Sequence, residues 1–228
     1  MMTQQNFSAE TFSAQNFSAM REAMIVSQLR TVAVDDSRVI AALNVVPREH
    51  FVPSARATSA YVDTAIPLGE GRAMNAPLAT ARLINEADVQ PGDHVLVIGA
   101  ATGYAVAVLA ELGATVVAVE ESPALLASAK ANLRGRAGIT VVGGDLNKGS
   151  KKQGPYDVIL IDGAVDQVPD ALVAQLKTGG RFVTGLIERG VPRLAAGRKS
   201  AGGFALVPFL DAACVTLPGF AQPKGFQF

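Results

Sequence analysis

Between residues 94 and 184 short apolar runs alternate with longer mixed ones. Residues 94–98 (HVLVI), 115–119, 139–142, 156–161 and 181–184 are nearly all apolar or β-branched, as expected of strands covered on both faces of a parallel sheet. Helix-length stretches separate them. Residues 104–112 are closed by Gly113. Ser122-Pro123 supplies an N-cap and a first-turn proline for a helix carrying Leu125, Leu126, Ala129 and Leu133 that stops at Gly135. Pro169 opens a helix with Leu172, Val173 and Leu176 inward, and Gly179-Gly180 turns it into the next strand. Strands alternating with helices predict βαβ units and an α/β doubly wound sheet. Residues 205–209 and 213–217 are two strand-like runs with only Leu210-Asp211-Ala212 between them. No crossover helix fits there, so they are expected to form a C-terminal antiparallel hairpin.

Upstream the period is helical. Residues 18–30 align Met20, Met24, Ile25, Gln28 and Leu29 on one face, and Asp36 or Ser37 caps a second helix with Val39, Ile40 and Leu43 that Pro47 stops. A short helical piece at 54–61 leads into a loop at 63–77, and a helix at 78–87 ends before Pro91-Gly92-Asp93. Phe-Ser-Ala recurs at 7–9, 12–14 and 17–19, a unit too short for a solenoid. Residues 1–16 are read as a flexible tail, 17–90 as an N-terminal helical cap with its loop, and 91–228 as the sheet domain, forming one unit with the cap.

Composition narrows the chemistry. The chain has 228 residues, 49% hydrophobic and 18% charged, enough to bury roughly 70% of its unfolded surface. Twenty basic residues balance twenty acidic ones, which argues against a dedicated nucleic-acid or anionic-membrane binder; Lys148, Lys151 and Lys152 read as a solvated loop. Cys214 is the single cysteine, and His50 and His94 lack metal-ligand spacing, so no disulfide framework, cysteine zinc site or metal centre is expected. His50 is expected to pack under the cap. Residues 95–119 hold long uncharged runs, but Gly99, Gly103 and Gly113 break them below the length of about 20 apolar residues that a membrane helix needs. No secretory signal is evident, and a cytoplasmic location is expected.

The turn after the first strand of the sheet reads Gly99-Ala100-Ala101-Thr102-Gly103-Tyr104. Small residues let backbone approach a ligand, a helix N-terminus offers free N–H groups, and ligands of doubly wound sheets sit beyond the carboxyl strand ends. The turn lacks the G-x-G-x-x-G of a dinucleotide site and the Lys-Ser/Thr pair of a P-loop; alone it also fits a tight strand-to-helix connection. Two acids add to it. Glu120, followed by Glu121, ends the second strand, where a carboxylate accepts both hydroxyls of a ribose. Asp145, followed by Leu146, ends the third after Gly143-Gly144, within reach of an adenine edge. Either acid alone fits a solvated strand end; together, behind the small-residue turn, they point to S-adenosylmethionine. Gly99, Ala101, Thr102, Gly103, Tyr104, Glu120, Glu121, Asp145 and Leu146 are the expected contacts. Asp162, ending the fourth strand, either joins them or caps its loop.

A parallel sheet finished by an antiparallel hairpin resembles the Rossmann-like methyltransferases. Met24-Ile25-Val26-Ser27-Gln28-Leu29-Arg30, the specific block Val46-Pro47-Arg48-Glu49-His50-Phe51-Val52-Pro53, Ile66-Pro67-Leu68-Gly69 and Leu176-Lys177-Thr178-Gly179-Gly180-Arg181 resemble the protein-L-isoaspartate O-methyltransferase family over about residues 20–185. The resemblance implies a mostly parallel seven-stranded sheet and methylation of the carboxylate of L-isoaspartyl or D-aspartyl residues in damaged proteins. It makes residues 71–77 the acceptor loop, with Arg72, Ala73, Met74 and Asn75 as substrate contacts. Asn75 stands where the family carries serine, as the catalytic candidate whose amide donates to the acceptor carboxylate or, in the plainer reading, turns the chain. The family turn is usually Gly-x-Gly-x-Gly, with Ala101 here in the middle. A left-handed backbone there would cost about 1–2 kcal/mol. The altered loop leaves open a different carboxylate or small-molecule acceptor, or a cofactor-binding member without turnover. Leu217-Pro218-Gly219-Phe220 is placed to overhang the site, with no family contact to transfer onto it.

Overall fold

The computed structural model describes residues 9–221, with side chains from residue 16 onward. A first helix, α1, spans Ala9–Met24 and runs on through a π-type turn, Ile25–Leu29, and a 3-10 turn, Arg30–Val32. It starts well before the expected position near Ser18. Residues 9–16, expected in the tail, continue the helix because no glycine or proline interrupts them; residues 1–8 of that tail lie outside the described residues. Met24, Ile25 and Leu29 are buried along the predicted face. Helix α2 (Ser37–Val45) is capped by Asp36, whose side chain accepts from the Arg38 N–H.

The expected loop before the sheet holds a small hairpin, β1 (Ile66–Gly69) and β2 (Arg72–Met74), joined through left-handed Glu70 and Gly71. Helix α3 (Pro77–Ala87) follows it. Strand β3 (His94–Ile98), helix α4 (Tyr104–Glu111), strand β4 (Thr115–Glu120), helix α5 (Pro123–Asn132), and strands β5 (Ile139–Gly143) and β6 (Tyr156–Val165) form where the apolar runs put them. A short α6 (Asp170–Val173) and strands β7 (Leu176–Glu188), β8 (Val191–Arg198) and β9 (Val207–Asp211) complete the chain. The seven-stranded sheet has the order β5-β4-β3-β6-β7-β8-β9, parallel as far as β7 and antiparallel beyond.

Alternation along the central strands divides two cores. Val95, Val97, Val116, Ala118, Val158 and Leu160 face the side covered by α4 and the N-terminal cap. Leu96, Ile98, Val117, Val119, Ile159 and Ile161 face the other. Helix α4 lies within the first core, so Tyr104 through Leu109 are all buried, which explains its apolar run. The second core takes Leu172 from the single-turn α6 and Leu146 from a 3-10 turn, and is closed by Leu217 and Phe220, which are 3% and 2% exposed.

The C-terminal hairpin exists, with the expected 205–209 run shifted to β9 and a different partner. Residues 191–198 supply β8, paired with an extended β7 and with β9, while residues 213–217 form only one bridge, Thr216 to Ala164 of β6. The turn between β7 and β8 places Arg189 and Gly190 at φ 51 and 82. Two left-handed residues suit a tight hairpin turn, and arginine is an uncommon choice for one of them. His50 is exposed and does not pack under the cap; Arg48, two residues earlier, turns inward instead. No described helix is long and apolar enough to cross a membrane.

Candidate active site

The sheet order reverses between β3 and β6, and the crevice beyond their carboxyl ends is where a doubly wound fold places its ligand. The β3 turn enters it with Gly99, Ala101 and Gly103 at φ 75, 49 and 99. Within it the N–H groups of Gly99 and Ala100 donate to the Val119 carbonyl at 3.0 and 3.1 Å, and that of Gly103 to the Ala100 carbonyl at 2.8 Å. Ala101 donates its N–H to Glu120 Oε2 at 2.8 Å, while Glu121 and Ser122 donate theirs to Oε1, both at 3.0 Å. Glu120 is fully buried and satisfied from this side by backbone alone.

Its other partner is Arg72. The pleat of β2 points Arg72 and Met74 inward and Ala73 partly outward. The guanidinium closes on Glu120, Nη1 to Oε1 at 2.7 Å and Nη2 to Oε2 at 3.2 Å. This corrects the acceptor assignment: Arg72 sits on the acid expected to take a ribose, and Met74 lies in the core. Neither of them, nor Ala73, lines the cavity next to Asn75.

The other expected contacts divide. Tyr104 faces the cap: its ring meets Phe51 edge-on at 5.6 Å and lies 4.8 Å beneath the Arg48 guanidinium. The Thr102 hydroxyl donates to the Phe51 carbonyl at 2.6 Å. Both therefore reach the crevice through backbone only. Glu121 is exposed, Asp145 pairs with Lys148 in solvent, and Leu146 is buried in the second core. Lys151 and Lys152 are likewise exposed.

Asn75 is 1% exposed and joins three segments. Its Nδ2 donates to Asp162 Oδ1 at 2.9 Å, and its Oδ1 accepts from Val215 N–H at 2.7 Å and Cys214 Sγ at 3.2 Å. Thr80 donates to the same oxygen of Asp162 at 3.1 Å. In this conformation one N–H of the Asn75 amide is given to Asp162 and its oxygen to the C-terminal segment. Asp162 stands apart from Glu120, on the acceptor-loop side; burial pushes its carboxyl above the usual range against the Asn75 and Thr80 donors and the Arg48 charge. Burial likewise drives the Cys214 thiol up to about 12. Beside this group lies a cavity of about 590 Å³, with Asp63, Thr64, Asn75, Ala76, Cys214 and Val215 in its wall, large enough for a side chain and its flanking backbone.

Arg48 was not singled out by residue-level reasoning. It is fully buried, donates from Nε to the Ala60 carbonyl at 2.7 Å and from Nη2 to the Asn75 carbonyl, and leaves Nη1 without a hydrogen-bond partner. Burial lowers its pKa. The only signal was its place in the Val46-Pro47-Arg48-Glu49 block.

A nucleoside carrying a sulfonium group is suited by the chemistry of the Glu120 carboxylate and the glycine turn, beside which the chain's own Leu217 and Arg72 are packed. A Cβ added to Gly99 would lie 2.7 Å from Leu217 Cδ1, and one added to Gly163 would collide with Leu217 Cγ. The strand-end glycines that admit a ligand at the switch point are covered by the chain's own leucine, and the ribose acid by its own arginine. In this conformation Leu217 stands against the glycine turn and Arg72 against Glu120.

The protein-L-isoaspartate(D-aspartate) O-methyltransferase family model matches residues 19–217. A protein-L-isoaspartate O-methyltransferase of Methanoculleus marisnigri is 37% identical over 201 residues, covering 87% of this chain and 91% of its own. One of Methylorubrum extorquens is 42% identical over 165 residues, covering 72% of each. A solved structure named protein-L-isoaspartate O-methyltransferase aligns with TM-score 0.76 and 27% identity, over 87% of this chain and 66% of that one. A Plasmodium falciparum structure, solved with S-adenosyl-L-homocysteine, shares the fold at TM-score 0.72 and 19% identity. The match takes in the cap, the acceptor loop, the parallel sheet and the segment that crosses the crevice, so the chain belongs to the protein-L-isoaspartate(D-aspartate) O-methyltransferase family.

Proposed function

We infer that this chain is an S-adenosylmethionine-dependent O-methyltransferase acting in the cytoplasm on the carboxylate of isoaspartyl or D-aspartyl residues in damaged proteins. The reading is carried by one observation: a family match from residue 19 to 217 that spans both the crevice acid Glu120 and the cavity beside Asn75. The relatives' names supply the acceptor class. The chemistry asks little of the protein. A carboxyl of ordinary pKa near 3.9 is ionised at neutral pH, so the acceptor is already a nucleophile and no base is needed. What remains is alignment and exclusion of water, which together supply roughly 7–11 kcal/mol in favourable cases. Residues 17–90 act in this reading as the cap that shapes the acceptor cavity, with Asn75 and Asp162 at its inner end.

Two observations favour a second reading, a family member that binds without turnover: Arg72 on Glu120, and the alanine at the middle of the turn. Labelled S-adenosylmethionine offered with an isoaspartyl peptide, its normal aspartyl twin, or neither separates the two. Base-labile label on the isoaspartyl peptide alone is the expected result. Cofactor bound with no transfer to any peptide supports the second reading and overturns the first.

A further inference from the structure

We propose that residues 214–220, together with Arg72, form a built-in plug of the nucleoside crevice, so that plug and cofactor compete for one place. The inference rests on the reading that this crevice is the S-adenosylmethionine site.

Space, charge and attachment converge on it. Leu217 lies at the switch point of the sheet, over Gly99 of the β3 turn and Gly163 of β6 together. Phe220 follows it into the same core. Arg72 approaches Gly99 from the other side, with Nη2 3.4 Å from the Cβ position there, and holds both oxygens of Glu120. A ribose diol requires those same two oxygens. Occupation by the guanidinium and by the sugar is therefore mutually exclusive.

The segment is docked, not woven in. Val215 N–H donates to Asn75 Oδ1 at 2.7 Å, Ala164 N–H to the Val215 carbonyl at 2.7 Å, Leu217 N–H to the Ala164 carbonyl at 2.9 Å, and Asn147 Nδ2 to the Gly219 carbonyl at 3.1 Å. Beyond its one bridge to β6 it forms no ladder, so it can leave without breaking the sheet, although Leu217 and Phe220 must then be withdrawn from the second core. Glu120 also survives departure of Arg72, because the N–H groups of Ala101, Glu121 and Ser122 stay on its oxygens. The same segment carries Cys214 on Asn75 at the cavity wall. Withdrawal of the plug thus frees the Asn75 amide oxygen as well, coupling the two halves of the site, and such coupling is reciprocal.

The test uses the full chain, with S-adenosylhomocysteine as probe. Calorimetry compares wild type, Leu217→Ser and Arg72→Gln, and a thiol reagent reports the reaction rate of Cys214 with and without the probe. An apparent affinity falls by the fraction of molecules that are open, so each variant is expected to bind about tenfold tighter or better. In wild type, saturating probe is expected to speed Cys214 labelling. Equal affinities in all three proteins with an unchanged Cys214 rate overturn the plug and leave the methyltransferase reading standing. No heat with any of the three, each shown folded by a cooperative melt, overturns that reading and the plug with it. If one variant does not fold, the other and the wild-type labelling rate decide by the same criteria.

Discussion

Arg72 and Glu120, 48 residues apart in the chain, form a fork-to-fork ion pair in which the carboxylate is fully buried and the guanidinium side chain is 6% exposed. The acid keeps three backbone N–H donors besides the arginine; all the hydrogen bonds described for the arginine side chain go to the acid. Breaking a buried pair by removing one partner costs about 3–5 kcal/mol, chiefly from the charge left behind. The two removals are therefore unequal. Glu120→Ala is expected to lie in that range, and Arg72→Gln well below it. Urea denaturation of both variants at neutral pH checks this, and equal losses would show that the backbone donors do not sustain the carboxylate.

Ala101 stands at φ 49 between Gly99 and Gly103. Its Cβ makes the left-handed conformation cost about 1–2 kcal/mol, partly offset by the lower unfolded-state entropy of alanine. Ala101→Gly is expected to stabilise the fold by about 0.5–1 kcal/mol, a rise in Tm of about 1–4 °C for a chain of this size. A calorimetric scan reads it directly, and a drop in Tm would mean that the turn holds alanine without strain.

How far the fold was legible follows from what each residue depends on. His94–Ile98 and Thr115–Glu120 were readable because burial on both faces leaves an uninterrupted apolar run, and Asp36 and Ser122 because a cap is a local hydrogen bond. Strand β8 was not readable. Its turn rests on a left-handed arginine, and Pro192 near its start argues against a strand. Residues 213–217 form a short, mostly apolar strand-like run, yet their partners are Asn75 and Ala164, far away in sequence, so the run gave an extended shape and the wrong neighbour. The site divided in the same way. Glu120 and the glycine turn were placed by the strand ends. The pairing of Arg72 with Glu120 was not readable, because an arginine in a loop gives no local sign of the acid it will meet.

Asn75 fills its position through reach. Its amide spans from Asp162 Oδ1 to the N–H of Val215, whereas a serine hydroxyl is one atom shorter and has a single donor hydrogen. Asn75→Ser, which restores the residue of the family resemblance, is expected to lose at least one of these bonds and to destabilise by about 1–3 kcal/mol. A hydroxyl that stays on Asp162 gives up the bond from Val215 N–H that docks the C-terminal segment, so amides near Val215 are expected to exchange faster in the variant. Native-state hydrogen exchange checks this; protection at Val215 equal to wild type would show that the segment is held without Asn75.

The Asp162 carboxyl lies above its ordinary 3.8, raised by burial and held back by Asn75, Thr80 and the Arg48 and Arg72 charges. A carboxyl whose native pKa exceeds its unfolded value binds more protons in the folded state. Stability therefore falls as pH rises from about 3.8 through the native pKa, and the full penalty stands above it. Asp162→Asn retains a side-chain oxygen for the Asn75 and Thr80 donors and removes the charge. The variant is expected to exceed wild type in stability at neutral pH, with the advantage fading toward pH about 4. Urea midpoints for both proteins across that range give the answer. An advantage that grows as pH falls would mean that Asp162 is ionised more readily in the fold than in water, reversing the balance between burial and the neighbouring charges.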